Sequence, residues 1–285
     1  QYDEPMSDSS MLPTYLVSNL VKKYCTVALG GDGGDELFGG YHHYNRLLWT
    51  KKKFNKIPIA IRKVIANIAN IILPVGFKGR ATLQSLGANF DNGLPLVSSF
   101  FDPKTRRKLL SKQQDKIEIV AEKVFAKKVF DTSDFLQRIT RMEFGNYMSE
   151  DILVKVDRSS MLNSLEVRAP MLDYRIIEFA FGKVPSILKT TTSERKIILK
   201  KLANRLLPSE FDKQRKQGFS IPLKEWLKDG PWRDFFYQVL LSDECFFDEK
   251  TVKSLLLGQD KGRNNTERLF SLVLFELWRR EYNIS

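Results

Sequence analysis

The sequence predicts an α/β fold in which a short parallel sheet is followed by a predominantly helical region. Residues 11–23 have apolar side chains at helical spacing, residues 25–29 form a short β-rich apolar run, and a glycine-rich turn begins at Gly30. A helix, a short buried strand and a glycine-rich turn in succession are typical of a parallel sheet. After Tyr41 the strand signal nearly disappears, so we expect helices in the remainder of the chain.

The later elements follow from helical periodicity and turn residues. Apolar residues between Ile61 and Ile72 mark one face of a helix that Pro74 and Gly76 end, and residues 81–99 have the composition of a loop. Further along, two helices are joined by a capping run at residues 131–134. The helices predicted after residue 99 are 117–130, 135–148, 174–181, 194–207, 232–241 and 266–282.

Composition restricts the class of protein. With 285 residues, of which 42% are hydrophobic, the chain can form one large domain or two modest ones. No apolar run reaches the roughly 18 residues of a membrane-spanning helix. Two cysteines, Cys25 and Cys245, cannot form a disulfide framework, and no signal peptide is present, so a cytoplasmic location is expected. The chain opens at Gln1 without an initiator Met, which predicts a piece of a longer protein.

The charge balance is strongly basic. Lys and Arg number 46 and Asp and Glu number 34, which gives a net charge of +12. A surplus of this size indicates an anionic partner such as nucleic acid or nucleotide phosphates. A basic surface that only keeps the protein in solution is the simpler explanation from charge alone.

The densest chemical signal is the run Gly30-Gly31-Asp32-Gly33-Gly34-Asp35-Glu36-Leu37-Phe38-Gly39-Gly40-Tyr41, directly after the predicted strand. Ligands of open parallel sheets bind beyond the carboxyl ends of the strands, where glycines let backbone N–H groups meet phosphate oxygens. Carboxylates repel phosphates unless a divalent cation intervenes, so Asp32, Asp35 or Glu36 implies Mg²⁺. The run fits neither G-x-G-x-x-G nor a Walker A or calcium loop. An acidic turn without a ligand is the alternative.

Four blocks in family order resemble the glutamine-hydrolysing asparagine synthetases. Residues 27–41 resemble that family's second nucleotide-site motif, and residues 151–173 form an equally specific second block; two moderately specific blocks are 194–199 and 215–222. The resemblance covers most of the chain. It implies a nucleotide-α-hydrolase fold of the PP-loop ATP pyrophosphatase type, truncated to the later part of the synthetase domain.

The resemblance also implies a division of the chain and a reaction. Residues 1–50 would be the remainder of the α/β nucleotide-binding domain, 51–149 a helical insertion and 150–285 a helical acceptor-side region. Enzymes of this family use Mg-ATP to adenylate an aspartate carboxylate, release pyrophosphate and transfer ammonia from glutamine. The implied partners are aspartate, ATP, Mg²⁺, ammonia and an amino-terminal glutaminase domain that these residues lack; homodimerisation is left open, and no membrane partner is expected.

Site residues are implied position by position. Asp35 would be a ligand of the Mg²⁺ on pyrophosphate, and Asp32 would lie at the acyl-transfer centre. Lys196 matches a lysine that stabilises charge developing on the phosphates, which is electrostatic catalysis. Asp151 and Lys155 would face the acceptor amino acid. The backbone that binds the nucleotide would come from four glycines: Gly30, Gly31, Gly33 and Gly34.

Several of these residues have structural alternatives. From the sequence alone, Lys196 belongs to the solvated face of a helix rich in Lys and Arg. A network of structural ion pairs is the alternative for Asp157, Arg158, Glu166 and Arg168.

For several residues outside the two highly specific blocks, we expect structural roles. The run 213–216 is typical of a solvated loop. Phe219 and Trp226 are expected in the core rather than as stacking platforms. His42 and His43 are expected as a pair on a helix surface rather than as an acid–base dyad.

Two departures from the family pattern affect the expected activity. Gly30 stands where the family usually has Ser, which removes one hydroxyl contact to the nucleotide. The Ser-Gly-Gly-x-Asp-Ser pyrophosphate loop is absent from these 285 residues. The chain alone is therefore expected to hold half a nucleotide site and not to turn over ATP.

Two other functions stay open at this point. One is a non-catalytic basic helical module that binds nucleic acid or another polyanion, and the other is an inactive relative of the synthetases. The acidic residues of the glycine-rich run disfavour nucleic acid, because they would repel its phosphates without a metal.

Overall fold

The structure is a computed structural model that describes residues 2–91, 100–113, 124, 127, 131–210 and 219–284. Helices account for most of this part of the chain. In chain order the α-helices are α1 (Met11–Lys22), α2 (Gly34–Phe38), α3 (His42–Phe54), α4 (Ile59–Ile72), α5 (Arg80–Ser85), α6 (Pro103–Leu109), α7 (Phe135–Glu143), α8 (Leu153–Met161), α9 (Tyr174–Gly182), α10 (Ser186–Lys189), α11 (Ile197–Leu206), α12 (Leu223–Trp226), α13 (Pro231–Leu240), α14 (Glu249–Asp260) and α15 (Thr266–Glu281). None of the helices in the described part of the chain is long and apolar enough to cross a membrane.

Two short strands form a parallel sheet. Strand β1 (Val27–Leu29) pairs with β2 (Glu166–Arg168), and Ala28 lies opposite Val167. The prediction of a parallel α/β arrangement is confirmed, with strand residues 27–29 in place of 25–29. Strand β2 was not predicted, because three residues are too few to show period-2 alternation.

One continuous helical rod connects the middle of the chain to the sheet. Helix α7 passes without a break into a π-helix (Phe144–Ile152) and then into α8. Asp134 caps the start of the rod, since its carboxylate accepts from the Gln137 N–H at 3.0 Å, as the predicted capping run implies. The helix predicted over 135–148 is therefore confirmed but continues to Met161. π-helical turns widen a helix and recur at functional sites.

Buried apolar side chains form three clusters. The largest cluster is formed by the four helices α12, α13, α14 and α15 and includes Phe236, Val252, Phe270 and Val273. A second contains Tyr44, Phe90 and Ile139, and a third packs α2 against α9. Trp226 packs at the edge of the largest cluster, as predicted, but Phe219 is 51% exposed, so its assignment to the core was wrong.

Helix α4 shows that periodicity does not say which face is buried. The predicted apolar face exists, but Ile61, Ile68 and Ile71 on it are exposed. The buried side contains Arg62, Ala66 and Ala69. Arg62 can lie there because its guanidinium donates to the carbonyls of residues 57, 86 and 88 and stacks over a phenylalanine ring 4.3 Å away.

Other differences concern element boundaries. Residues 81–85 lie in α5 and not in a loop, so that part of the loop prediction was wrong. The helix predicted from residue 194 begins at Ile197. The predicted helix 117–130, the end of the predicted loop and the run 213–216 lie largely or wholly outside the described residues. The domain division stays a prediction, and its boundaries at 50 and 149 lie inside α3 and the π-helix.

Candidate active site

The candidate site lies at the carboxyl ends of both strands. Because β1 and β2 are parallel, the segments that follow them meet at one edge of the sheet. The Gly30 N–H donates to the Arg168 carbonyl at 2.7 Å, which extends the pairing by one residue. The glycine-rich loop after β1 therefore lies beside the 3₁₀ turn Pro170–Leu172 after β2.

Close packing explains two of the loop glycines. Gly33 has φ +87°, and a Cβ there would meet the Leu172 side chain. A Cβ on Gly30 would lie 2.8 Å from the Asp32 carboxylate and 3.2 Å from Val167. The Asp32 side chain thus folds back over the position where the resemblance expects a serine.

Of the other two predicted glycines, Gly31 borders open space and Gly34 lies near Lys196. Within the described ranges, no atom lies within 4 Å of a Cβ placed on Gly31. On Gly34, the first residue of α2, a Cβ would meet the Lys196 Nζ and a Met171 methyl group, each at 3.9 Å. The backbone of the loop is therefore accessible at Gly31 and close to a cation at Gly34.

Asp35 and Lys196 form the central pair of the site. The Lys196 Nζ lies 2.8 Å from Asp35 Oδ1, and the two side chains are 31% and 24% exposed. A Cβ on Gly40 would collide with both side chains, so only glycine leaves room for the pair. The structure brings together two residues that the resemblance implied, from blocks far apart in the sequence.

The segment before α11 is fixed to the end of α2, which places Lys196. The Thr190 hydroxyl donates to the Gly39 carbonyl, and the Arg195 guanidinium donates to the Gly40 carbonyl at 3.0 Å. Lys196 itself has φ +51°, a left-handed conformation that is uncommon for a residue with a side chain. The alternative of a solvated helix-face residue does not hold for Lys196, because it precedes the helix and turns back onto Asp35.

Lys155 lies in a second polar cluster, beside Asp32. Its Nζ contacts Asp8 Oδ2 at 2.6 Å and the Ser10 hydroxyl at 2.8 Å. This contact follows from the packing of α1, which begins after Ser10, against α8. Asp151 lies one helical turn before Lys155, and its buried Oδ1 has no hydrogen-bond partner among the residues that the structure describes. Three carboxylates thus surround one ammonium.

The excess of carboxylates shifts their pKa values. Burial, with the neighbouring Asp8 charge, raises the pKa of Asp151 to about 7 against the opposing effect of Lys155. Burial also raises the pKa of Asp32, which Lys155 only partly offsets. For Asp8 the order reverses: burial would raise the pKa, but the Lys155 charge and hydrogen bonds outweigh it and lower the pKa. The cluster therefore favours a bound cation or proton near Asp151.

Glu36 lies behind the site and not in it. Its side chain is buried and accepts a hydrogen bond from the Tyr41 hydroxyl. Burial raises the pKa of the Glu36 carboxyl, and burial beside Glu36 raises the pKa of Tyr41 far above its usual range. Of the three acids in the glycine-rich run, Glu36 is thus the one turned away from a ligand.

The histidine pair is not a surface pair. His42 is exposed, but the His43 Nε2 lies 2.9 Å from the carboxylate of fully buried Glu143. The Tyr44 hydroxyl donates to the same carboxylate. The surface assignment was therefore wrong for His43, which belongs to a buried network behind α2.

The ion-pair alternative is confirmed for part of the second block. Arg168 and Glu166 pair at 2.6 Å on the exposed strand β2, and Arg158 pairs with Asp3 at 2.7 Å. All four side chains are substantially exposed, so these pairs contribute little stability.

Sequence reasoning missed Asp8, Ser10 and Gly40. The only signal for the first two is an Asp-x-Ser run before an apolar helix, which is also an ordinary start of a helix. For Gly40 the glycine count was visible, but the collision that requires glycine depends on Lys196, which comes from a distant block.

The residues fit a Mg²⁺ ion that arrives with a nucleotide. Among the described residues, no group of three or more His, Cys, Asp or Glu side chains could hold a metal ion on its own. In nucleotide sites, Mg²⁺ is typically bound by one or two carboxylates together with phosphates and water. Asp35, at the start of α2, can supply one such carboxylate.

The fold and the site define an α/β protein with a glycine-rich loop at the carboxyl end of a parallel strand, which is where ligands of such sheets bind. The family model described as asparagine synthase matches residues 1–280, so the chain belongs to the asparagine synthase family, within the PP-loop ATP pyrophosphatase superfamily. No solved structure matches the chain.

Named relatives agree with this family. The chain is 29% identical over 282 residues to asparagine synthetase [glutamine-hydrolyzing] 1 of Bacillus subtilis, which covers 97% of this chain and 44% of the relative. It is 28% identical over 281 residues to a putative asparagine synthetase [glutamine-hydrolyzing] of Mycobacterium bovis, covering 97% of this chain and 42% of the relative. A putative relative of that name in Methanocaldococcus jannaschii is 34% identical over 174 residues, which is 56% of this chain and 30% of the relative. The chain thus spans less than half the length of these relatives.

Proposed function

We propose that the protein is an ATP-dependent amide ligase that forms AMP and pyrophosphate and converts an aspartate-type carboxylate to asparagine. The Asp35–Lys196 pair supports this proposal, because a partly exposed carboxylate and ammonium lie 2.8 Å apart in the segments that follow the parallel strands. The carboxylate oxygen of the acceptor attacks the α-phosphorus, and pyrophosphate leaves. Ammonia then attacks the acyl carbon, AMP leaves, and the nitrogen loses a proton.

We assign to Lys196 the stabilisation of the negative charge that develops on the phosphates. Its side chain is partly exposed and ends beside Gly34, so the ammonium can reach phosphate oxygens while staying near the loop. An ammonium held in place before the reaction stabilises charge at no cost of reorganisation. Asp35 would hold the Mg²⁺ ion, which neutralises phosphate charge when bound. The backbone around Gly30, Gly31, Gly33 and Gly34 would border the nucleotide.

Asp32 and the Lys155 cluster are assigned to the acceptor side. Asp32 follows the strand directly, and its raised pKa suits a group that takes a proton from the attacking nitrogen. Lys155 is already paired with Asp8 and Ser10, so we assign it a positioning role. The carboxylate of Asp151 then faces the substrate, and its excess negative charge fits the α-ammonium group of an amino acid.

The remaining partners follow from the family. We propose that nitrogen comes from glutamine through an amino-terminal glutaminase domain of the full-length protein, as the names of the relatives suggest. ATP and Mg²⁺ are the proposed cofactors, and the cytoplasm is the proposed location.

The test is pyrophosphate release from Mg-ATP by the full-length protein, with and without aspartate and glutamine. We expect aspartate-dependent release that is lost in Asp35→Asn and Lys196→Met. Lys200→Met is the matched control, because Lys200 is exposed one turn further along the same chain segment and should retain full activity. Release that is absent in the folded wild-type protein with aspartate would contradict the aspartate assignment. Release that survives in both site variants would contradict the assigned roles.

A further inference from the structure

Helix α4 exposes a continuous apolar stripe. The side chains of Ile61, Val64, Ile68, Ile71 and Ile72 are 53%, 56%, 49%, 72% and 70% exposed. At 3.6 residues per turn these five positions fall within an arc of about 100°. Contiguous exposed apolar surface of this kind marks a binding face rather than scattered surface residues. We call these five residues the α4 stripe.

The sequence around the α4 stripe contains only positive charge. Residues 37–90 include nine Lys and Arg and no Asp or Glu. Lys56 and Lys78 flank α4 on either side, Lys63 lies within it, and all three are exposed. Lys52 and Lys53 at the end of α3 are exposed as well. A helix with apolar residues on one side and lysines around it is typical of segments that lie on membrane surfaces.

A basic cavity continues from the end of the stripe. Its volume is about 620 Å³, and Ile71 and Leu73 form part of its wall. Five cations line it: Arg80, Lys104, Arg107, Lys108 and Lys250. Of these, Arg80 is paired with Asp102 at 2.8 Å. The one acid among the residues that line this cavity, Asp248, is engaged as the cap of α14 and accepts from the Thr251 N–H at 2.8 Å. Apolar surface and a pocket for an anionic group therefore meet at Ile71.

We propose that the α4 stripe and the basic cavity bind the surface of an anionic phospholipid bilayer. The stripe contacts the boundary between headgroups and acyl chains, and the cavity receives a headgroup phosphate. The sequence predicts no membrane partner because it has no spanning helix, but attachment to a surface does not need one.

Charge decides between a bilayer and a second copy of the chain. A two-fold interface through α4 would bring the exposed lysines of both copies together, and like charges at close range oppose association. An anionic bilayer attracts the same lysines and buries the same apolar side chains.

The test is sedimentation of the full-length protein with vesicles of phosphatidylcholine alone or mixed with phosphatidylglycerol. We expect binding to the mixed vesicles only. Ile68→Asp combined with Ile71→Asp should weaken binding about tenfold or more, because both residues lose apolar burial. Lys104→Glu combined with Arg107→Glu should weaken it by a similar factor and flatten its salt dependence.

Two matched controls have the same chemistry elsewhere. Ile187→Asp with Leu206→Asp replaces apolar residues that are 70% and 69% exposed, and Lys200→Glu with Lys201→Glu replaces exposed lysines. Both controls should bind like the wild type. Since all substituted stripe residues are already about half exposed or more, the variants should fold, which circular dichroism checks.

Three outcomes would overturn the proposal. The folded wild type could fail to bind mixed vesicles at low salt. Binding could survive the stripe variant and be lost only in the charge variant, together with equal binding to RNA, which would indicate a general polyanion site. Light scattering could show a wild-type dimer that the stripe variant abolishes, which would make the stripe an interface between copies.

Discussion

The two lysines of the candidate site meet carboxylates in opposite ways. Lys196 pairs with Asp35 near the surface, and the two side chains are 31% and 24% exposed. Lys155 is buried, and its ammonium is held by Asp8 and Ser10, with Asp151 and Asp32 nearby. A partly exposed ion pair can open for a ligand at little cost, whereas a buried ammonium among several carboxylates is fixed. This difference is the reason for proposing a catalytic role for Lys196 and a positioning role for Lys155.

The largest expected effect is on activity at the exposed pair. Lys196→Met should lower the rate of pyrophosphate release by about 10³-fold, since a single oriented donor typically contributes 10²–10³. The free energy of unfolding should change by less than about 1 kcal/mol, because the pair is partly exposed. Steady-state kinetics and urea unfolding of the same samples measure both. A loss of several kcal/mol in stability would make Lys196 a structural residue.

At the buried Lys155, in contrast to Lys196, we expect a large loss of stability. Lys155→Met leaves Asp8 without its partner beside Asp151, and breaking a buried pair typically costs about 3 kcal/mol or more of stability. Urea unfolding measures this loss. Asp8→Asn should lower stability as well, because it leaves the buried ammonium underpaired. If Lys155→Met were as stable as the wild type, the distinction between the two lysines would fail.

The pH dependence of stability should identify Asp151. Its pKa is raised on folding, so the stabilising protonated form is lost as the pH rises from about 4 through about 7. Asp151→Asn removes this loss. The stability of the variant relative to the wild type should therefore increase by about 2 kcal/mol between pH 5 and pH 8. Denaturant unfolding at pH 5 and pH 8 measures the change. If the difference in stability between variant and wild type were the same at both pH values, the inferred excess of negative charge around Asp151 would be contradicted.

Gly40 should not tolerate an added side chain without loss of activity. Gly40→Ala places a methyl group against Asp35 and Lys196, so the pair must move and activity should fall. The free energy of unfolding should drop by less than about 1 kcal/mol, because the displaced groups are ends of partly exposed side chains. Gly182→Ala is the control, because nothing lies within 4 Å of a Cβ there. Equal behaviour of the two variants in kinetics and melting would mean that the pair has more room than the structure shows.

The smallest effect is expected at Gly30. Gly30→Ser restores the residue usual in the family, but its Cβ would lie 2.8 Å from a flexible Asp32 carboxylate that can move. A change of about fivefold or less in the apparent affinity for ATP is expected, equal to roughly 1 kcal/mol. Nucleotide titration measures it. A complete loss of activity would show that Asp32 must lie where it does.

The sequence could predict the sheet and the glycine loop because both have local signals. The helix, strand and glycine-rich turn predicted between residues 11 and 34 are readable from spacing and glycine content, and the structure confirms the helix and the strand. The pairing of Asp35 with Lys196 has no local signal. The family resemblance assigned both residues to the site but did not predict that they pair, and helical periodicity alone puts Lys196 on a solvated face.

The sequence could not show which face of a helix is buried or which distant segments are in contact. The apolar periodicity of α4 is real, but a guanidinium with three carbonyl partners occupies its buried side. Asp8 reaches Lys155 only because α1 packs on α8. Neither fact follows from the composition of the segments involved.

The most direct test of the central claim is a double-mutant cycle of Asp35→Asn and Lys196→Met in aspartate-dependent pyrophosphate release. Residues that act as one unit give strongly non-additive losses. We predict that the double variant is about as slow as the slower single variant. Losses that multiply across the two substitutions would show that Asp35 and Lys196 act independently, and would contradict the account.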